Sequence, residues 1–223
     1  MAQDKPDLGP IFLSASIPDP KRDPSYSQGV DVIAICEAIC ALAEVVLPRQ
    51  ALHFGGHPAI SPLIGMVARA LDQSESTPGG GHFDAVTIYQ SEFFRRDVPS
   101  SSLAFPRIQW TPNVGNDREE SLERMRRRML DPSLHGPAYS AAFFVGGMEG
   151  IEAEFDLFRK LQPHAAFWPI ASTKGAAAKL YSAFEADVLS QPAAQQLGPH
   201  RTHELLESTV TYRQCFRDLL SAI

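Results

Sequence analysis

"FFVGGMEGIEAEF", residues 143–155, decides how this chain folds. An apolar run ends in paired glycines, a third glycine follows, and a helical pattern begins. Such a run before a glycine turn reads as a buried strand, and the residues after it as the helix that covers the strand. At 3.6 residues per turn, Ile151, Phe155, Phe158 and Leu161 form an apolar stripe, while Glu152, Asp156, Arg159 and Lys160 lie opposite. Glu154 falls inside the stripe. A carboxylate there needs partners or carries a raised pKa, because burying an unpaired charge is costly. It either caps backbone amides of the glycine turn or meets a ligand, at a ribose hydroxyl or a glycosidic bond.

The same strand–turn–helix order recurs along the chain. Strands are predicted over 11–17, 51–56, 85–91, 107–112, 138–147 and 165–173. Helices are predicted over 31–47, within 57–71, and over 116–130, 149–162 and 174–189. Asn116 is the expected N-cap of the 116–130 helix, with Glu120–Arg124 and Glu123–Arg127 as i,i+4 pairs. "QSESTPGGGHFD" (73–84) is a glycine-rich loop. A last amphipathic helix is expected beyond Pro192, with Leu205, Leu206, Val210, Phe216, Leu219 and Leu220 on its apolar side. Short continuous apolar runs alternating with helices indicate a parallel sheet covered on both faces. The expected fold is therefore α/β: a doubly wound, mostly parallel, Rossmann-like sheet. Residues 1–191 would form the ligand-binding domain, and residues 192–223 a C-terminal helical extension packed on it or at an oligomer interface.

Composition narrows the function classes. The 223 residues are 44% hydrophobic and 21% charged, ordinary for a globular chain with a large core. A net charge of −6 weighs against duplex nucleic acid and anionic membranes as partners. The most apolar helix is interrupted by Glu37 and Glu44 and is too short to cross a bilayer. "MAQDKPDLGP" lacks the basic-then-apolar plan of a signal peptide. Three cysteines, Cys36, Cys40 and Cys215, fit a reducing, cytoplasmic setting, with Cys36 and Cys40 as buried small side chains.

In open α/β sheets, ligands bind beyond the carboxyl ends of the strands, where the strand order switches. The residues that follow the strands are small or hydroxylic: Ser14, Ala15 and Ser16; Gly55, Gly56 and His57; Ser91 and Glu92; Gly146, Gly147, Met148, Glu149 and Gly150; Ser172, Thr173 and Lys174. One such turn serves structure as readily as binding. Several along one sheet edge, each opening a helix whose first N–H groups are unpaired, predict a phosphate or nucleotide site. Backbone amides of 55–57 and 146–150 would hold phosphate, with Glu154 and Ser14 or Ser16 on ribose hydroxyls. His57 is a candidate donor from its loop. His53 and His57 lack a third metal ligand, so no metal is expected, nor any cofactor. Arg95 and Arg96 could reach an anion, while the Arg124–Arg128 cluster reads as the solvent face of its helix. No G-x-S-x-G elbow, GxxxxGK[ST] loop, CxxC pair or first-turn GxGxxG is present, which removes support for hydrolase-triad, P-loop, dithiol and ordinary dehydrogenase readings.

At "IFLSASIP", "FGGHPAISPLIG", "FFVGGMEGIEAEFDLF" and "PIASTKGAAA" the chain resembles the SLOG superfamily over residues 9–190. This Rossmann-like group includes the LOG phosphoribohydrolases and the ligand-sensing domains of bacterial defence proteins such as the Thoeris effector. The similarity is strongest to the defence-associated SLOG clusters, which occur beside or fused to TIR or membrane modules. It implies a site for a nucleotide or NAD-derived small molecule, often completed by self-association into a homo-oligomer, with a TIR-type or other effector as partner. Gly55, Gly56, Gly146, Gly147, Gly150 and Glu154 match family positions. The chain departs from the PGGxGTxxE signature of LOG enzymes. Val145 stands before the glycine pair, Glu149 is an added residue before Gly150, and Ile151 replaces the threonine. Serine–alanine–serine also stands where a serine–glycine pair is usual. The expectation is a sensor of a nucleotide-derived, cyclic ADP-ribose-like signal in antiphage defence. The alternatives are a nucleotide N-glycosidase with Glu154 as catalytic group, and a scaffold whose glycine turns bind nothing.

Overall fold

A computed structural model describes residues 8–74 and 81–223; part of the glycine-rich 73–84 loop and the first seven residues lie outside it. All six predicted strands form: β1 (Ile11–Ser16), β2 (Leu52–Gly55), β3 (Val86–Ser91), β4 (Ile108–Thr111), β5 (Ala141–Gly146) and β6 (Ala166–Ile170). They make one parallel sheet in the order β4-β3-β2-β1-β5-β6. Winding runs outward from β1 to β4, then returns to β5 on the other side of β1. The switch point therefore lies between β1 and β5, which are in register from Ile11 opposite Ala141 to Ser16 opposite Gly146.

Successive side chains of a strand face opposite sides, and the core divides accordingly. Ile11, Leu13, Leu52, Phe54, Ile88, Phe143 and Val145 belong to one buried cluster, shared with α1 (Val32–Val46) and α2 (Ser61–Ser74). Phe12, Tyr89, Ala142 and Phe144 belong to the other, under α4 (Arg118–Leu130) and α6 (Glu149–Leu161). Between β3 and α4, the short α3 (Ser100–Leu103) precedes β4, and α5 (Pro132–His135) leads into β5. The stripe read from the sequence seats α6: Phe158 stacks on Phe12 at 5.7 Å between centroids, and Phe155 meets Phe144 edge-on at 5.1 Å.

Two local expectations need correction. Asp117, not Asn116, caps α4: its side chain accepts from the Glu120 N–H, while Asn116 sits at φ 56° in the preceding turn. Of the paired charges expected on α4, Glu123 and Arg127 are joined at 2.8 Å. The single C-terminal helix is three: α8 (Pro192–Leu197), α9 (Pro199–Glu207) and α10 (Tyr212–Leu220), after α7 (Gly175–Ser190). Leu205, Leu206, Phe216 and Leu219 are buried in the core shared with α1, whereas Val210 lies between α9 and α10 and is 80% exposed. Gly198, at φ 89°, and the Pro199 after it break the run. Cys215 is buried and Cys36 and Cys40 are half-buried; all three are free thiols. Among the described residues, no helix is long and apolar enough to cross a membrane.

Candidate functional site

The β5–α6 turn is built by glycines in a backbone conformation that other residues adopt only under strain. Gly146 and Gly147 lie at φ 59° and 79°, and a Cβ on Gly147 would fall 1.8 Å from Ile151 Cδ1. The β6–α7 turn is wedged behind it, since Ala176 N–H donates to Gly147 O at 2.9 Å and a Cβ on Gly175 would meet that same oxygen at 2.7 Å. Thr173 Oγ1 accepts from Gly146 N–H at 2.8 Å and donates to Ile170 O at 2.6 Å. The effect of this bracing is to aim the start of α6 across the end of the sheet.

There, at the switch point, a cavity of about 580 Å³ opens. Ser14, Ala15 and Ser16 of β1, Gly55, Gly56 and His57 after β2, and Met148, Glu149, Gly150 and Glu154 of the α6 start all line it. The other expected residues lie elsewhere. Gly146, Gly147, Thr173 and Lys174 form the back of the paired turns, and Ser172 Oγ reaches the Tyr212 hydroxyl at 3.5 Å. Ser91 Oγ caps the turn after β3 by accepting from Phe93 N–H, and Glu92 pairs with Arg95. Arg95 is further committed to the Trp110 ring, 4.3 Å from its centroid.

Not every amide expected to hold phosphate is open. Gly56 N–H donates to Tyr89 O at 2.8 Å, His57 N–H to Ser61 Oγ at 3.2 Å, and Gly146 N–H to Thr173. The start of α6 differs, because no side chain caps it. The first N–H groups of a helix lack intrahelical partners, and the helix dipole adds positive potential there. Around Gly150 there is room for a ligand to approach: a Cβ would meet only Arg126 Nη2, at 3.6 Å.

Glu154 hangs from the same helix into the cavity. Ser14 Oγ donates to its Oε2 at 2.6 Å, and Arg126 Nε stands 3.8 Å from its Oε1. Burial pushes the Glu154 pKa up, opposed by the serine hydrogen bond and the arginine charge. The carboxyl thus bonds a side chain of β1, not the amides of its own turn. Arg126 corrects the reading of residues 124–128 as a solvent face. Its side chain is only 12% exposed, and its Nε is buried without a hydrogen-bond partner. The signal was present in the spacing, since Arg126 follows Leu122 by one helical turn and adjoins Met125, at the edge of the stripe that packs on the sheet.

Further charges ring the mouth. Arg22 pairs with Glu149, and Arg118 with Glu119; all four line the cavity. The loop after β1 is tied to α6, with Asp19 N–H on Met148 Sδ at 3.3 Å and the Tyr26 hydroxyl on Glu152 at 2.9 Å. Burial lowers the His57 pKa, and its Nδ1 accepts from Ala59 N–H at 3.2 Å. That bond assigns the proton of the neutral ring to Nε2, leaving His57 one uncharged donor. His53, two residues before Gly55 on the same face of β2, packs against Tyr139 below the strand ends and is not part of the cavity. Among the described residues, no group of three or more histidine, cysteine or carboxylate side chains is placed to hold a metal ion.

The arrangement offers helix-end N–H groups for an anion, a buried carboxyl and a serine for vicinal hydroxyls, and guanidinium groups at the rim. A sequence model of the SLOG cluster3 family matches residues 25–197, a span that starts after β1 and contains β2, β5 and all of α6. No curated protein matches the chain.

Proposed function

This chain belongs to the SLOG cluster3 family, and from that premise we propose that the cavity binds a nucleotide-derived signal molecule, with an NAD-derived compound such as cyclic ADP-ribose the first candidate. One observation carries the reading: the uncapped start of α6 and the Ser14–Glu154–Arg126 trio open into the same cavity at the strand-order switch. Phosphate goes to the N–H groups of Glu149 and Gly150, and ribose hydroxyls to Glu154 and Ser14. Its volume of about 580 Å³ lies within the usual range for small-molecule sites. In this proposal the protein is a sensor in antiphage defence, self-associating and working with a TIR-type or other effector.

Titration calorimetry with AMP and with ADP-ribose tests it. Saturable binding without release of free base is expected, and Arg126→Met should weaken it at least tenfold. Absence of saturable binding by either compound at millimolar concentration contradicts the proposal. A second reading rests on Glu154 itself, since a carboxyl whose pKa is raised by burial suits proton transfer at a glycosidic bond. Release of free base from the nucleotide, abolished by Glu154→Gln, would establish that enzyme in place of the sensor.

A further inference from the structure

A smaller cavity of about 280 Å³ adjoins the first and shares Gly56, His57, Leu122 and Met125 with it. Its own walls differ in kind. The main cavity carries several arginines and carboxylates, whereas this lobe adds Pro58, Phe94, Val98 and Pro99, with Gln90 and Ser102 as neutral polar groups and Asp97 as its one charged residue. Two details point to a ligand. Ser102 is 2% exposed, and its Oγ is buried with no hydrogen-bond partner. An unpaired buried hydroxyl is unfavourable, so one at the wall of a cavity fits a partner that arrives from outside. Gln90 is 8% exposed, and its amide lies against Gly56, where a Cβ would come within 3.2 Å of Cδ and Oε1. That glycine is therefore needed for the amide to sit where it does.

The geometry points to this second lobe as the seat of the nucleobase. The apolar walls take the faces of the ring. The Gln90 amide, with a donor and an acceptor side by side, reads its edge together with the Ser102 hydroxyl. The main cavity then holds ribose and phosphate, so the inference rests on the nucleotide reading given above. It adds that recognition of the base resides in the β3 end and the loop that follows it, apart from the glycine turns.

Calorimetry with AMP and with ribose 5-phosphate, which lacks the base, separates the two claims. AMP is expected to bind at least thirtyfold more tightly than ribose 5-phosphate. Ser102→Ala and Gln90→Leu should each cut that ratio at least fivefold. Ser102→Ala removes an unpaired group, so its melting temperature should not fall; a fall would assign the hydroxyl to the fold. Equal affinities for the two ligands, or a ratio unchanged in both variants, overturns the base lobe while leaving the phosphate–ribose site standing. Failure of both ligands to bind overturns the nucleotide reading itself, and the lobe's assignment with it.

Discussion

At Glu154, burial and pairing pull in opposite directions, and burial prevails, leaving the pKa above its ordinary 4.5. A carboxyl in that state holds its proton more tightly in the folded than in the unfolded chain. Its ionisation therefore subtracts stability as pH rises through the window above 4.5, and stability returns as pH falls back through it. Glutamine keeps an acceptor for Ser14 and removes the charge. Glu154→Gln should thus melt at or above the wild-type temperature at neutral pH, with the gap closing on acidification. A drop of several degrees at neutral pH would mean that the Arg126 pairing outweighs burial. The position of this carboxyl was legible in the helical wheel, but its partners were not. Ser14 and Arg126 lie on β1 and α4, and only the packing of both against α6 brings the three together.

The glycines of the β5–α6 element separate into two kinds. Gly147 is structural: it lies at φ 79° and has Ile151 against it. Gly147→Ala should cost about 2 kcal/mol or more, measured by denaturant unfolding, through backbone strain and the displaced isoleucine. Gly150 is helical and open on its cavity side. Gly150→Ala should leave stability unchanged or raise it by up to ~1 kcal/mol, because alanine is the better helix former. The same change should weaken anion binding, since the methyl group occupies the approach to the helix end. Equal effects of the two substitutions on stability would contradict this division. The turns were easy to find because glycine is demanded where φ is positive. Which of them face the cavity was not legible, because that depends on the β6–α7 turn sitting behind the β5–α6 turn, a contact between distant segments.

For the molecule as a whole, the parallel sheet was readable from six continuous apolar strands, and its strand order was not, since order is fixed by where each crossover returns. That order places the cavity between β1 and β5, while His53, two residues before Gly55 on β2, shares the cavity's face of the sheet but lies further from the strand ends. There His53 lies with Tyr89, His135 and Tyr139. Burial first, then the His135 and Arg107 charges, lowers the His53 pKa to about 4. The folded chain keeps this ring neutral while the unfolded chain protonates it near the ordinary histidine value of 6.5, so stability falls as pH drops from 6.5 towards 4. The loss is on the order of 3 kcal/mol. His53→Gln should flatten the melting temperature across that interval, and an unchanged slope would remove His53 from the account. The central claim is tested most directly by a crystal structure grown with ADP-ribose. The account predicts a phosphate oxygen within hydrogen-bond distance of the Glu149 or Gly150 N–H and a ribose hydroxyl on Glu154. A ligand seated elsewhere, or an empty crevice at saturating concentration, would contradict it.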